Sequence, residues 1–69
     1  MANNMKIYKL KIKFSAAIFV AEDKMQVLCL IAKNNIFEGL TSKDILPHLV
    51  EIEDETVTGE AKIIAYYEF

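Results

Sequence analysis

The chain has 69 residues, a mass of 7.9 kDa, one cysteine and a formal net charge of -2. Such a chain forms one small domain (residues 1–69) and buries only about 60% of the surface it exposes when unfolded, so self-association is a common way to stabilise it. The single cysteine excludes a disulfide framework and a cysteine-based zinc site, and a hydrophobic fraction of 54% excludes a disordered chain.

The first element combines alternating polarity with a basic charge. Four apolar residues alternate with three lysines in the order Tyr8, Lys9, Leu10, Lys11, Ile12, Lys13 and Phe14. This period of two predicts a half-buried strand with the lysines on one side. Because the same phase continues through Ala16, Ile18 and Val20, we expect one long strand that bends or bulges near residues 15–17.

A helix is predicted next, from Lys24 to Asn34. Asp23 is a favoured N-cap residue and Gln26 completes a capping-box pattern, while the pair Asn34–Asn35 suits a helix end. One apolar arc contains Met25, Val27, Leu28, Cys29, Ile31 and Ala32, which predicts a buried thiol. The alternative is a hairpin loop at residues 22–24, followed by a buried strand over residues 27–32.

The second half of the sequence predicts short secondary-structure elements. After an extended piece at Ile36–Phe37, Thr41 or Ser42 caps one helical turn that Pro47 limits. Strands are predicted at Leu49–Glu53 and Glu60–Phe69, with a turn at Asp54–Gly59. The fold class is therefore α+β, a small two-layer domain in which one helix covers a mostly antiparallel sheet of three or four strands, in the order β-α-β-β.

Charge is distributed unevenly along the chain. Residues 1–14 contain four lysines and no acid, whereas residues 50–69 contain six acids and one lysine. Two strands of opposite charge stabilise each other when they are neighbours in a sheet. The other interpretation is that the basic side stays available for an external anion.

Catalytic chemistry is not indicated. His48 is the only histidine, and neither Cys29 nor a carboxylate pair stands in a recognisable arrangement with it. The acids between Glu51 and Glu55 lack the spacing of a calcium loop, and no phosphate-binding or nucleophile motif occurs. We expect no enzyme activity, no cofactor and no metal site.

Binding to another protein is the favoured function. In the last strand, alternation predicts that Ile63, Ala65, Tyr67 and Phe69 pack under the helix, which leaves Ile64 and Tyr66 on the other side together with Phe19. Such an apolar patch is typical of a protein contact, so we expect a homodimer or another protein as the partner, with Ile64, Tyr66 and Phe19 at the interface.

The alternative is nucleic-acid binding through Lys9, Lys11 and Lys13. Three observations argue against it. Alternation separates these lysines from the aromatic residues that single-strand binding needs on the same face, and the pI is about 5.2. All eight basic residues are lysines, so the arginine forks that read phosphate and guanine are absent from the sequence.

Location and origin are indicated by composition alone. No apolar run approaches the length of a membrane span, and the lysine alternation together with Phe19 argues against a cleaved leader, so we expect a cytoplasmic protein without membrane contact. A small chain rich in lysine, isoleucine and asparagine resembles accessory proteins of phages and prophages of low-GC bacteria. This resemblance implies binding and inhibition of a host protein, and it assigns no residue roles.

Overall fold

A computed structural model describes residues 5–52 and 59–68 of the chain. Four strands form one antiparallel sheet with the spatial order β3-β1-β2-β4. The elements follow along the chain as β1 (Lys6–Ile12), β2 (Ser15–Ala21), α1 (Lys24–Asn34), α2 (Ser42–Ile45), a 3₁₀ turn (Leu46–His48), β3 (Leu49–Ile52) and β4 (Lys62–Glu68). The α+β class is confirmed, but the predicted β-α-β-β order is wrong because two strands precede α1.

The predicted long first strand is a hairpin. Lys13 and Phe14 form a two-residue turn, and Lys13 adopts a left-handed φ of 54°. Beyond the turn, β2 runs back along β1 with Ile12 opposite Ser15. Because residues that pair across a ladder share a face, the reversal shifts the phase of β2 by one residue. Its odd-numbered residues therefore lie on the same side as the even-numbered residues of β1.

The helix prediction over Lys24–Asn34 is confirmed with both of its boundaries. The Asp23 carboxylate accepts a hydrogen bond from the Gln26 backbone N–H at 2.8 Å, and Gln26 Oε1 in turn accepts from the Glu22 backbone N–H at 2.6 Å. Asn35 ends the helix with a left-handed φ of 55°. The buried face is narrower than the predicted arc, since only Val27 and Ile31 are buried.

A compact connection joins α1 to β3. Instead of the predicted extended piece, Phe37 takes a left-handed φ of 51° and Gly39 a φ of 82°. The single helical turn is confirmed with Thr41 as its N-cap, and the Asp44 carboxylate accepts hydrogen bonds from both the backbone N–H and the hydroxyl of Thr41, at 2.9 and 3.0 Å. Pro47 lies in the 3₁₀ turn that follows.

The core lies on one face of the sheet, which we call the covered face. Its largest fully buried side chains are Tyr8, Phe19, Leu10 and Val27. Residues of the connection also contribute, because Phe37 and Ile45 belong to the same buried cluster. The expectation that one helix alone covers the sheet is therefore wrong, since α1 shares this role with the segment from Phe37 to Leu46.

A bulge in β4 changes which of its side chains face the core. Ile18 pairs with Ala65, but the next residue, Phe19, pairs with Ile63, so Ile64 is the extra residue. An extra residue shifts the alternation of a strand by one position. As a result, Ile63 and Tyr66 lie on the covered face, while Ala65 and Tyr67 lie on the opposite one.

Candidate protein-contact surface

The face of the sheet opposite α1, which we call the open face, is formed by residues from all four strands. Cross-strand pairing places the following residues on it: Ile7, Lys9, Lys11, Ala16, Ile18, Val20, Val50, Ile52, Lys62, Ala65 and Tyr67. Among these described strand residues there is no carboxylate. The open face is therefore apolar and basic, although the whole chain carries a net charge of -2.

The exposure of the large apolar side chains on the open face increases toward the edges of the sheet. Val20 and Ala16 in the central strand β2 are buried, whereas Val50, Ile52 and Tyr67 on the edge strands are 57%, 43% and 53% exposed. These three side chains are too large and too apolar to favour contact with water. The open face thus has a packed centre and an apolar, accessible rim.

Tyr67 and two lysines border one groove on this face. The groove has a volume of about 370 Å³, and Lys9, Lys11, Ala16, Ile18 and Tyr67 are among its lining residues. Ala16 pairs with Lys11 on one side and with Tyr67 on the other. Because the Ala16 side chain is short, it leaves a groove between the lysines on one side and Tyr67 on the other.

The predicted interface residues lie in three different environments. Phe19 is fully buried in the core and pairs with Tyr8, so the expectation that it faces outward is wrong. Tyr66 lies on the covered face, where its ring contacts Phe37 edge-on at a centroid distance of 5.7 Å. Ile64, at the bulge, is 52% exposed, and Tyr66 is 37% exposed although it lies on the covered face.

The hairpin and the bulge explain these corrections. The turn at Lys13–Phe14 moves Phe19 into the core, and the bulge at Ile64 exchanges the faces of Tyr66 and Tyr67. Alternation alone gives neither shift. The exposed residues that it missed are Val50, Ile52 and Tyr67, and Tyr67 takes the outward position that it assigned to Tyr66.

The three candidate nucleic-acid lysines are not in one row. Lys9 and Lys11 lie on the open face, whereas Lys13 lies in the hairpin turn. The strand β1 that carries Lys9 and Lys11 is a central strand of the sheet. These two lysines therefore do not protect a sheet edge, which is the structural role that lysines have on edge strands.

Opposite charges from the two ends of the chain meet between β1 and β3. Lys6 Nζ lies 3.5 Å from Glu51 Oε1, and the buried Tyr8 hydroxyl donates a hydrogen bond to the same oxygen at 3.1 Å. Burial of the phenol, followed by this hydrogen bond and the nearby negative charge, raises the pKa of Tyr8 to about 12. This cluster stabilises the pairing of β1 with β3.

The two residues with catalytic potential that the sequence analysis considered, Cys29 and His48, both lie on the surface. The Cys29 side chain is exposed, contrary to the buried thiol that the sequence predicted, and His48 is exposed beside Pro47. No three histidine, cysteine or acidic residues of residues 5–52 and 59–68 are close enough to hold a metal ion. Of the acidic cluster between Glu51 and Glu55, all but Glu51 lies outside the described residues.

Comparisons with known proteins give no relative, since no family model, no curated protein and no solved structure matches this chain. Within the part of the chain that the structure describes, no helix is both long and apolar enough to cross a bilayer.

Proposed function

We propose that this protein is a non-catalytic binding protein that recognises another protein through its open face. The observation that carries the proposal is the exposure of Val50, Ile52 and Tyr67 around the lysines of a sheet face that no helix of the described residues covers. Exposed apolar patches on small proteins are often functional contact sites.

The charge of the open face favours an acidic partner. Lys9 and Lys62 lie on it, and its described strand residues include no acid. A second copy stacked on this face would bring the same lysines against each other, which is unfavourable. A partner that presents carboxylates around apolar side chains complements both properties of the face.

Affinity capture with matched variants tests the proposal. The wild type, Lys9→Glu and Met25→Glu are immobilised and exposed to a lysate of a low-GC bacterium, and the dissociation constant of each retained protein is then measured after purification. Met25 is a suitable control because it lies on α1, away from the sheet, and is 67% exposed.

We expect at least one retained protein whose affinity falls tenfold or more with Lys9→Glu and stays unchanged with Met25→Glu. Equal losses in both variants would contradict the proposal, and so would the failure of any protein to exceed a bare-resin control.

Binding of single-stranded nucleic acid is the second candidate, and one observation favours it. Tyr67 lies on the same face as Lys9 and Lys11, contrary to the separation of aromatic and basic residues that the sequence predicted. A base stacked on Tyr67 with its phosphate near these lysines is the usual arrangement in single-strand binding. The pI of about 5.2 and the single aromatic residue among the described strand residues of this face favour the protein partner.

Salt titration separates the two candidates. Fluorescence anisotropy with labelled dT15 and rU15 is measured at about 50 and 200 mM NaCl, where phosphate contacts make affinity fall steeply with salt. Binding that weakens with salt, and weakens further with Tyr67→Ala, would establish the nucleic-acid function. No binding at the lower salt concentration would exclude it.

A further inference from the structure

A second concave site lies at the end of the sheet that carries the hairpin turn. It has a volume of about 540 Å³. It lies on the covered side of the sheet, because its lining residues Ile12, Tyr66 and Glu68 belong to that face. The loop after α1 forms its other side through Phe37 and Leu40. The site is therefore separated from the groove of the open face by the sheet itself.

Three aromatic side chains line this site, which we call the aromatic pocket. Phe37 and Tyr66 stand nearly perpendicular, at an interplanar angle of 78° and a centroid distance of 5.7 Å, so their rings form two walls that meet at a corner. Phe14 extends from the hairpin turn and is 73% exposed. A two-residue turn has no need of an aromatic side chain. Aromatic rings grouped around one cavity are typical of sites that bind organic cations, because the ring faces carry partial negative charge.

The charges around the aromatic pocket also favour a positive ligand. Glu38 and Glu68 line it, against one lysine among the described lining residues, Lys13. Glu68 accepts a hydrogen bond from the Tyr66 hydroxyl at 3.1 Å, which holds a carboxylate beside one of the rings. The C-cap residue of α1, Asn35, lines the pocket as well. The negative end of the helix dipole is therefore close to the cavity, where it favours a cation.

Unfavourable backbone conformations are concentrated at the same place. In the described part of the chain, three residues other than glycine have a left-handed φ, and all three line the aromatic pocket: Lys13, Asn35 and Phe37. Asparagine tolerates this conformation at the end of a helix, but a bulky residue such as phenylalanine adopts it only at a cost. The fold nevertheless holds Phe37 in it, with the ring as a wall of the cavity. Residues under such strain cluster at ligand sites.

We propose that the aromatic pocket binds a small organic cation with a quaternary ammonium group, the class to which choline belongs. The methyl groups of the ligand contact the three rings, and its positive charge lies near Glu38 and Glu68. The pocket is on the opposite side of the sheet from the open face, so this site is independent of the protein partner proposed there.

The first experiment compares choline with its uncharged analogue, in which a carbon atom replaces the quaternary nitrogen. The two molecules have the same shape and differ in charge, so a preference between them measures recognition of the cation. Each is titrated into the ¹⁵N-labelled protein, and chemical shifts are followed by nuclear magnetic resonance. We expect saturable shifts at the residues that line the pocket, with an affinity for choline about tenfold higher than for the analogue. Equal affinities, or shifts that do not saturate, would overturn the proposal.

The second experiment uses variants of the pocket. Phe14→Ala removes a wall that is already exposed, and Glu68→Gln removes a charge without changing size, so each should weaken choline binding about threefold or more. Lys13→Asn removes the competing positive charge and suits the left-handed turn position, so it should strengthen binding, a gain that a misfolded chain would not give. Met25→Ala, at an exposed position of α1 outside the pocket, should leave binding unchanged. Equal losses in Met25→Ala and the pocket variants, or weaker binding by Lys13→Asn, would contradict the site.

Discussion

Because the Tyr8 phenol is buried, we expect the free energy of unfolding of this protein to fall at alkaline pH. The pKa of this side chain is raised to about 12, whereas a tyrosine in an unfolded chain ionises near pH 10. Between these two values the folded protein keeps a proton that the unfolded chain has lost. The free energy of unfolding therefore falls as the pH rises through this window, because the unfolded state binds fewer protons.

The magnitude follows from the difference between the two values. Two pH units correspond to about 2.7 kcal/mol at 25 °C. Tyr8 is only 1% exposed, so most of this difference should be measurable. For a domain of this size, whose core supplies only about 3–5 kcal/mol, the loss is a large share of the total stability.

Urea unfolding of the wild type and Tyr8→Phe, followed by circular dichroism from pH 8 to 12, measures this effect. Lysines also lose their protons in this range, but they do so in both proteins. The stability of the wild type relative to Tyr8→Phe should therefore fall by about 2–3 kcal/mol. Glu51→Gln, which removes the charge near the phenol, should reduce the fall. A constant difference across the range would refute the reasoning.

Three further predictions concern the fold. Asp23→Ala removes the acceptor for the Gln26 N–H and should lower the free energy of unfolding by about 1 kcal/mol in urea titrations; no change would show that the cap contributes nothing. Phe19→Ala should cost about 3–5 kcal/mol, which is enough to leave most of the chain unfolded without urea, whereas Tyr67→Ala should stay folded, because only Phe19 is buried; equal losses would contradict the assigned faces. Hydrogen bonds from the Thr41 backbone and hydroxyl lower the pKa of Asp44, so carboxyl ¹³C titration should find it below the usual Asp range. The stabilisation that the ionised Asp44 carboxylate provides should be lost as the pH falls through that pKa. A pKa in the usual Asp range would contradict this prediction.

Local signals in the sequence were sufficient for α1 and α2. Asp23 and Gln26 mark the start of α1 and Asn35 its end, and each of these residues acts through neighbours no more than four positions away. The same holds for Thr41 and Asp44 in α2. Capping is short-range chemistry, so it can be read without knowledge of the tertiary structure.

The side of the sheet on which each strand residue lies could not be predicted from local signals in the same way. The turn at Lys13–Phe14 contains no glycine, asparagine or aspartate, which are the usual residues of a two-residue hairpin turn. The bulge at Ile64 is defined by its pairing with β2, a strand more than 40 positions away. Both features invert the alternation of the residues that follow them. A prediction that misses either feature therefore exchanges the inner and outer faces of those residues.

The central claim is that one face of the sheet is open and carries Tyr67, while Phe19 lies in the core. Nuclear magnetic resonance with a soluble paramagnetic agent tests it directly, because the agent broadens the signals of exposed side chains. The ring protons of Tyr67 should broaden strongly and those of Phe19 hardly at all, and the Ala16 methyl should show a nuclear Overhauser contact with Tyr67. Comparable broadening of both rings, or a contact between Tyr67 and the side chain of Val27 in α1, would contradict the account.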